Sequence, residues 1–213
     1  MARIAIIGAH GKVALRLERL LADRGDHVSG IIRNPDHAAD VSAAGATPIV
    51  ADIEPLDVDA LARLLSGQDA VVWSAGAGGG DPARTLAVDR EAAIRSMQAA
   101  EQAGVERYVM VSYFGSPDRD VPSSNPFHTY AEAKADADEH LASTTLRWTI
   151  LGPSKLTDAP AVGAIDTNAS AGTEVSRDDV AAVVAAALAD DGTIGRTIRF
   201  NTGATPIAEA LRG

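Results

Sequence analysis

The chain has 213 residues, 46% of them apolar and 23% charged, which favours one domain with a substantial core and excludes a disordered chain. A formal charge of −10 with no clustered Lys/Arg run disfavours nucleic acid and anionic membrane as partners, so any bound phosphate has to be met by local devices. Cysteine is absent, which removes disulfide and thiol chemistry, and the five histidines show no metal-ligand spacing.

The apolar opening from Met1 reaches only Ile7 before Gly8. It is too short for a signal peptide or a membrane span and reads as a buried strand, so the expected location is cytoplasmic. Further short apolar runs alternate with helical patterns, which predicts repeated βαβ units and a parallel sheet. The expected strands are Arg3–Ile7, His27–Arg33, Thr47–Val50, Ala70–Ser74, Arg107–Ser112, Arg147–Leu151 and Thr197–Asn201. The longest are continuously apolar, as strands covered on both faces should be.

The first helical pattern, Lys12–Arg24, carries Val13, Leu17, Leu20 and Leu21 at helical spacing and stops at Gly25. Pro35–Ala44 opens on the capping pair Asn34-Pro35, and Asp57–Ser66 and Pro82–Ala103 follow. Ser176–Leu188 starts with a capping-box pattern, Ser176-Arg177-Asp178-Asp179. The run Gly76-Ala77-Gly78-Gly79-Gly80 reads as a loop after a strand. The segment Gly152–Glu174, weakly periodic and rich in Pro, Gly and Thr, is expected to form a small substrate-covering region. Trp73, Met97 and Trp148 fall in apolar patterns and are expected in the core.

Strand, glycine turn and helix meet at Gly8-Ala9-His10-Gly11-Lys12-Val13-Ala14. In that context the glycines predict a dinucleotide phosphate loop: Gly8 for the turn, Gly11 for close approach of the pyrophosphate, Ala14 for helix–strand packing. Free N–H groups and the positive end of the helix dipole face the anion, and His10 and Lys12 add positive character. A plain β-turn-α connection is the alternative reading of the same glycines. The second strand ends in Arg33 where an NAD-selective site usually carries an acidic residue, which favours NADP(H) over NAD(H). A solvated surface arginine is the other reading. Asp52-Ile53 after the third strand and Ser74-Ala75-Gly76 after the fourth are placed to border the cofactor, and equally to end strands routinely.

Tyr130 and Lys134 stand four apart, on one face of a helix for which Asn125-Pro126 supplies a start. A lysine ammonium beside a phenol favours the phenolate and makes the tyrosine an acid/base for a carbonyl/alcohol pair. Lys134 can also reach the nicotinamide ribose, and Ser112 can hydrogen-bond the substrate oxygen. A tyrosine packed on a lysine stem is the ordinary alternative. His128 reads as a loop residue.

Together these residues resemble the atypical short-chain dehydrogenase/reductase superfamily, in the NAD(P)H-binding group of NmrA-like and YhfK-like sugar-epimerase proteins. The resemblance covers essentially the whole chain. It rests on Gly8–Ala14, Ile32-Arg33-Asn34-Pro35, Ala51-Asp52, Val88-Asp89, Ala103–Val109, Val111-Ser112, Tyr130–Lys134, Leu151–Asp158 and Thr205–Leu211. It implies a Rossmann-type doubly wound sheet, bound NADP(H), Tyr130, Lys134 and Ser112 in catalytic positions, and Gly152-Pro153-Ser154 near the nicotinamide. The third glycine is Ala14 here, and Leu151-Gly152-Pro153 stands where the group has Arg-Pro-Gly. The expected activity is an NADP(H)-dependent oxidoreductase acting on a small carbonyl or alcohol. A non-catalytic NADP(H) sensor and an NAD(P)-dependent sugar epimerase are the competing expectations. The Pro82–Ala103 and Tyr130 helices offer faces for a homodimer.

Overall fold

A computed structural model describes residues 1–77 and 81–213. Gly78, Gly79 and Gly80 of the predicted glycine loop lie outside the described residues. The elements follow the expected βα alternation. β1 (Arg3–Ile7), α1 (Ala14–Asp23), β2 (His27–Ile32), α2 (Ala38–Ala43), β3 (Thr47–Val50), α3 (Val58–Leu65) and β4 (Ala70–Trp73) build the first half. The second half begins with α4 (Pro82–Thr85), a π-helical turn Leu86–Ala92, α5 (Ala93–Ala103), β5 (Arg107–Val111), α6 (His128–Ser143) and β6 (Arg147–Pro153). It continues with β7 (Lys155–Thr157), β8 (Ala164–Asp166), β9 (Glu174–Ser176), α7 (Arg177–Ala189), β10 (Arg196–Thr202), β11 (Thr205–Pro206) and α8 (Ile207–Ala210).

Among the described residues the main sheet has nine strands in the order β11-β8-β10-β6-β5-β4-β1-β2-β3. The seven from β3 to β10 run parallel, and β8 and β11 close the far edge antiparallel. The strand order reverses between β1 and β4, and there a crevice opens beyond the carboxyl ends of an open α/β sheet. The fold is a Rossmann-like α/β sandwich.

Period-two alternation explains how continuously apolar strands serve two layers. Ile4 and Ile6 of β1 face the layer of α1 and α7 with Leu17, Val180 and Val184, whereas Ala5 and Ile7 face Leu61, Met97 and Leu141 from α3, α5 and α6. Each large aliphatic side chain removed from water contributes roughly 1.5–3 kcal/mol. Trp73 and Met97 are fully buried as expected, and Trp148 is half-buried at the edge of the second layer.

Four local differences from the sequence reading matter for the site. The buried face of α1 is Ala14, Leu17, Glu18 and Leu21, leaving Leu20 exposed. The Pro82–Ala103 helix is interrupted by its π turn, which carries Val88 and Asp89. His128 is the first residue of α6, where its Nδ1 lies 2.8 Å from the Val121 carbonyl oxygen, rather than in a loop. The segment expected to cover the substrate is not irregular from Gly152: β6 runs through Pro153, and beyond it β7 pairs with β9 as a separate two-stranded sheet. Ser176 caps α7 as predicted, accepting from the Asp179 N–H at 2.9 Å. The Asp179 carboxylate in turn takes the Ser176 hydroxyl and the N–H groups of Val162 and Gly163, tying the covering region to α7. Among the described residues no helix is long and apolar enough to cross a membrane.

Candidate functional site

The turn after β1 is built around Gly8, which holds φ +87°. A Cβ there would also lie 2.5 Å from the Ala75 Cα, so two strand ends approach where only hydrogen fits. The N–H groups of Gly8 and Ala9 are taken by the Ile31 carbonyl, and that of Gly11 by the Gly8 carbonyl. Those of His10, Lys12 and Val13 have no acceptor among the described residues. They stand just ahead of the ten-residue helix α1, where unsatisfied N–H groups and the helix dipole favour an anion. Gly11 sits with its Cβ position 3.1 Å from the Gly8 oxygen, so its bareness serves the turn itself as well as ligand approach.

Three adjoining cavities run from this turn. The first, about 300 Å³, lies over the β1–β2–β3 ends and is lined by Gly8, His10, Gly11, Arg33, Asp52, Ile53, Ser74, Ala75 and Gly76. All nine were expected around a cofactor. Asn34, His37, Glu54, Arg84 and Val88 join them. His10 stacks on His37 at 3.6 Å between ring centroids and places Nε2 2.9 Å from the Asp40 carboxylate. Arg33 is exposed and makes no ion pair among the described residues, which leaves its guanidinium available at the cavity wall.

The second cavity, about 330 Å³, continues past Gly11, Lys12, Val13 and Ser74–Gly76 to Val111, Ser112 and Tyr130. Arg177 also lines it. Lys12, Arg16 and Arg177 gather around Asp158, with Arg177 closest at 3.0 Å. In an acidic chain this cluster provides the local cations that the composition requires beside the turn. The third cavity, about 610 Å³, opens from Ser112 and Tyr130 toward Tyr113, Phe114, Phe127 and Leu156. Pro153, expected beside the cofactor, lines this third cavity.

Beneath the junction lies a buried ionic cluster on α6, β5 and the π turn. Lys134 is 1% exposed and lines none of the three cavities. Its Nζ donates to the Val111 carbonyl at 3.2 Å and approaches the Met110 sulfur at 3.4 Å. Burial pulls its pKa down, and the carboxylates of Asp138 and Asp89 oppose that. Burial pushes Asp138 and Asp89 up, with Lys134 acting the other way on both. The hydroxyls of Ser112 and Ser116 both donate to one oxygen of Asp138. Asp89 accepts from the Ala77 N–H at 3.0 Å and lies against Gly76, joining the cluster to the loop after β4.

Two chemical expectations change accordingly. Tyr130 is not pulled toward the phenolate: burial, then Asp89 and Asp138, hold it well above the ordinary phenol value. The positive charge that should lower it is instead spent on two carboxylates. Ser112 commits its proton to Asp138 and so presents lone pairs, not a donor, on its other side. Asp138 itself escaped the sequence reading, although the Tyr130–Lys134 spacing continued by one more turn of α6 points to it.

The bare Gly8 turn, the unpaired N–H groups and the neighbouring cations fit a dinucleotide whose pyrophosphate rests on the turn. A family model described as NAD(P)H-binding matches residues 8–191. The uncharacterized sugar epimerase YhfK of Bacillus subtilis is 35% identical across 99% of each chain. A Bacillus halodurans protein provisionally assigned as an NAD-dependent epimerase/dehydratase superposes with a TM-score of 0.90 at 32% identity, covering 99% of both chains. The oxidoreductase ylbE of Lactococcus lactis superposes at 0.88 with 30% identity, over 98% of this chain and 94% of its own. The chain therefore belongs to the NAD(P)H-binding family of Rossmann-like proteins.

Proposed function

We propose that the protein is an NADP(H)-dependent oxidoreductase that interconverts a small carbonyl compound and its alcohol. The observation that carries this reading is the position of Tyr130, which lines both the cavity leading from the phosphate turn and the cavity beyond it. A phenol at that junction meets whatever reacts between the two.

The N–H groups of His10, Lys12 and Val13 take the pyrophosphate, and Arg33 takes the 2′-phosphate that distinguishes NADP(H). When bound, the dihydronicotinamide supplies a hydride to the carbonyl carbon. Tyr130 stays protonated at neutral pH because burial and two carboxylates hold its pKa up. It gives its proton to the carbonyl oxygen as the C–O π pair collapses there, and the phenolate recovers a proton from solvent. Lys134 acts from below by balancing Asp89 and Asp138, without touching the substrate. One neighbour is named an NAD-dependent epimerase/dehydratase and the other an oxidoreductase, which agrees with a nicotinamide-dependent activity.

The test is turnover of a panel of aryl and alkyl aldehydes and ketones with NADPH, in the wild-type protein and in Tyr130→Phe. The expected result is a rate loss of about 10²–10⁴-fold with NADPH affinity within about twofold of wild type. Substantial activity in Tyr130→Phe overturns the assignment of the proton donor.

A further inference from the structure

The third cavity has a composition unlike the rest of the chain. Four of the protein's eight Phe, Tyr and Trp residues line it: Tyr113, Phe114, Phe127 and Tyr130. Tyr113 meets Phe127 edge-on at 5.4 Å between centroids, and Phe127 lies 4.9 Å from Tyr130. Phe127 is nevertheless 44% exposed, an open aromatic face at the cavity mouth. Phe114 forms the floor, backed by the Arg199 guanidinium 5.1 Å from its ring centre. A Cβ on Gly172 would lie 3.2 Å from the Phe114 ring, so a glycine there lets this segment pack closely on the floor.

Apart from Lys155, the polar side chains of the lining are hydroxyls, on Ser112, Tyr113, Tyr130, Ser154 and Thr173. The Ser154 hydroxyl is buried and has no partner among the described residues, and neither has the Tyr113 phenol. No carboxylate or carboxamide is among the lining residues, and the only charge is Lys155, exposed at the edge. A sugar would bring a ring of hydroxyls, and the carboxylates and carboxamides that can pair two of them at once are missing from the lining. A flat ring system needs the reverse: aromatic walls in offset or edge contact and one polar anchor.

We propose that this cavity takes a planar aromatic carbonyl compound of one or two fused rings, an aryl aldehyde, aryl ketone or quinone. Its ring lies against Phe127 and Tyr113, and a polar substituent is met by the Ser154 hydroxyl. The carbonyl end of the proposal rests on the reductase reading above; the aromatic preference rests on the cavity alone.

The test separates the two. Binding of 2-naphthalenemethanol and of its fully saturated decalin counterpart is measured by calorimetry with NADP⁺ present. The saturated alcohol is at least as hydrophobic, so tighter binding of the aromatic one reports ring contacts. A preference of about 3- to 10-fold is expected, the range of one or two aromatic contacts. Phe127→Ala should erase the preference while leaving NADPH affinity intact, and Ser154→Ala should weaken 6-(hydroxymethyl)-2-naphthol, which carries a second polar substituent, severalfold while leaving 2-naphthalenemethanol unchanged. Equal binding, tighter binding of the saturated alcohol, or no binding of either overturns the aromatic class, as does saturable UDP-glucose binding that displaces the naphthyl alcohol. If the preference holds but 2-naphthaldehyde is not reduced by NADPH, the aromatic site stands and the reductase reading falls. If aldehydes are reduced without aromatic preference, the reductase reading stands and the substrate class falls.

Discussion

Ser112 at the end of β5 donates its hydroxyl proton to Asp138, two turns along α6 from Tyr130, and Ser116 donates to the same oxygen. One buried carboxylate therefore fixes the loop after β5 and faces the Lys134 charge, while the other Asp138 oxygen has no partner among the described residues. A buried charge in such a network is costly to remove, because its partners are left uncompensated. Asp138 is thus a positioning residue for the junction at which Tyr130 works.

Asp138→Asn keeps the shape and removes the charge. The expected result is a fall in kcat on the order of 10², the scale of a small misplacement of reacting groups. A purely structural role would stop there. Because Asp138 is one of the charges holding the Tyr130 phenol up, its removal should also shift the alkaline limb of the pH–rate profile to lower pH. A slower enzyme with an unmoved alkaline limb overturns the electrostatic part of this role.

Arg33 offers a cleaner separation of cofactor from chemistry. It is exposed at the wall of the first cavity, 97 positions before Tyr130 in the sequence and part of a different cavity lining. Removing one charge-assisted pair to a phosphate costs about 1.5–3 kcal/mol. Arg33→Ala should therefore weaken NADPH binding by roughly 10- to 100-fold and NADH binding much less. Parallel fluorescence titrations with the two cofactors decide it, and equal losses for both remove Arg33 from 2′-phosphate selection.

The two glycines of the turn should differ in severity. Gly8→Ala forces a Cβ to 2.5 Å from the Ala75 Cα at a φ of +87°, so β1 and the loop after β4 have to part. Gly11→Ala brings its Cβ to 3.1 Å from a single carbonyl oxygen and requires only a small adjustment. Gly8→Ala should lower the melting temperature and abolish NADPH binding, whereas Gly11→Ala should fold normally and bind more weakly. Equal behaviour of the two in thermal melts and titrations contradicts the geometry.

Much of the fold was legible because β1, β4 and β5 are almost wholly apolar runs of four or five residues, as strands buried on both faces should be. β7, β8 and β11 are three residues or fewer, and their pairing is decided by what the chain meets in space, such as Lys155 opposite Glu174. At the phosphate turn, residue types and spacing carry the chemistry, so Gly8, Gly11 and Arg33 could be read directly. The aromatic cavity could not, because Tyr113, Phe127 and Leu156 come from separate segments with no shared period. Hydrophobicity itself misled in α1. Leu20 looks like a core residue and Glu18 a surface one, but the helix begins at Ala14 and its inward face is set by Ala14, Leu17 and Leu21.

That inversion yields a prediction about stability. Glu18 is fully buried, neither carboxyl oxygen has a hydrogen-bond partner among the described residues, and one lies close to the space above Gly30 on β2. Burial raises its pKa from 4.5 to about 8, with only Arg19 opposing. The folded chain thus holds a proton there that the unfolded chain releases, and stability falls as pH rises from 4.5 to about 8. Glu18→Leu fills similar space and removes both orphaned oxygens, a gain of roughly 1–3 kcal/mol where the carboxyl is most costly. For a chain of this size that is about 2–4 °C in melting temperature per kcal/mol. Melting curves of both proteins across this range should diverge progressively toward alkaline pH, with the variant the more stable. Asp89 and Asp138 titrate alike in the two proteins and cancel from the difference. A difference that stays constant with pH, or a variant less stable at pH 8, shows that α1 accommodates the ionised carboxylate without cost.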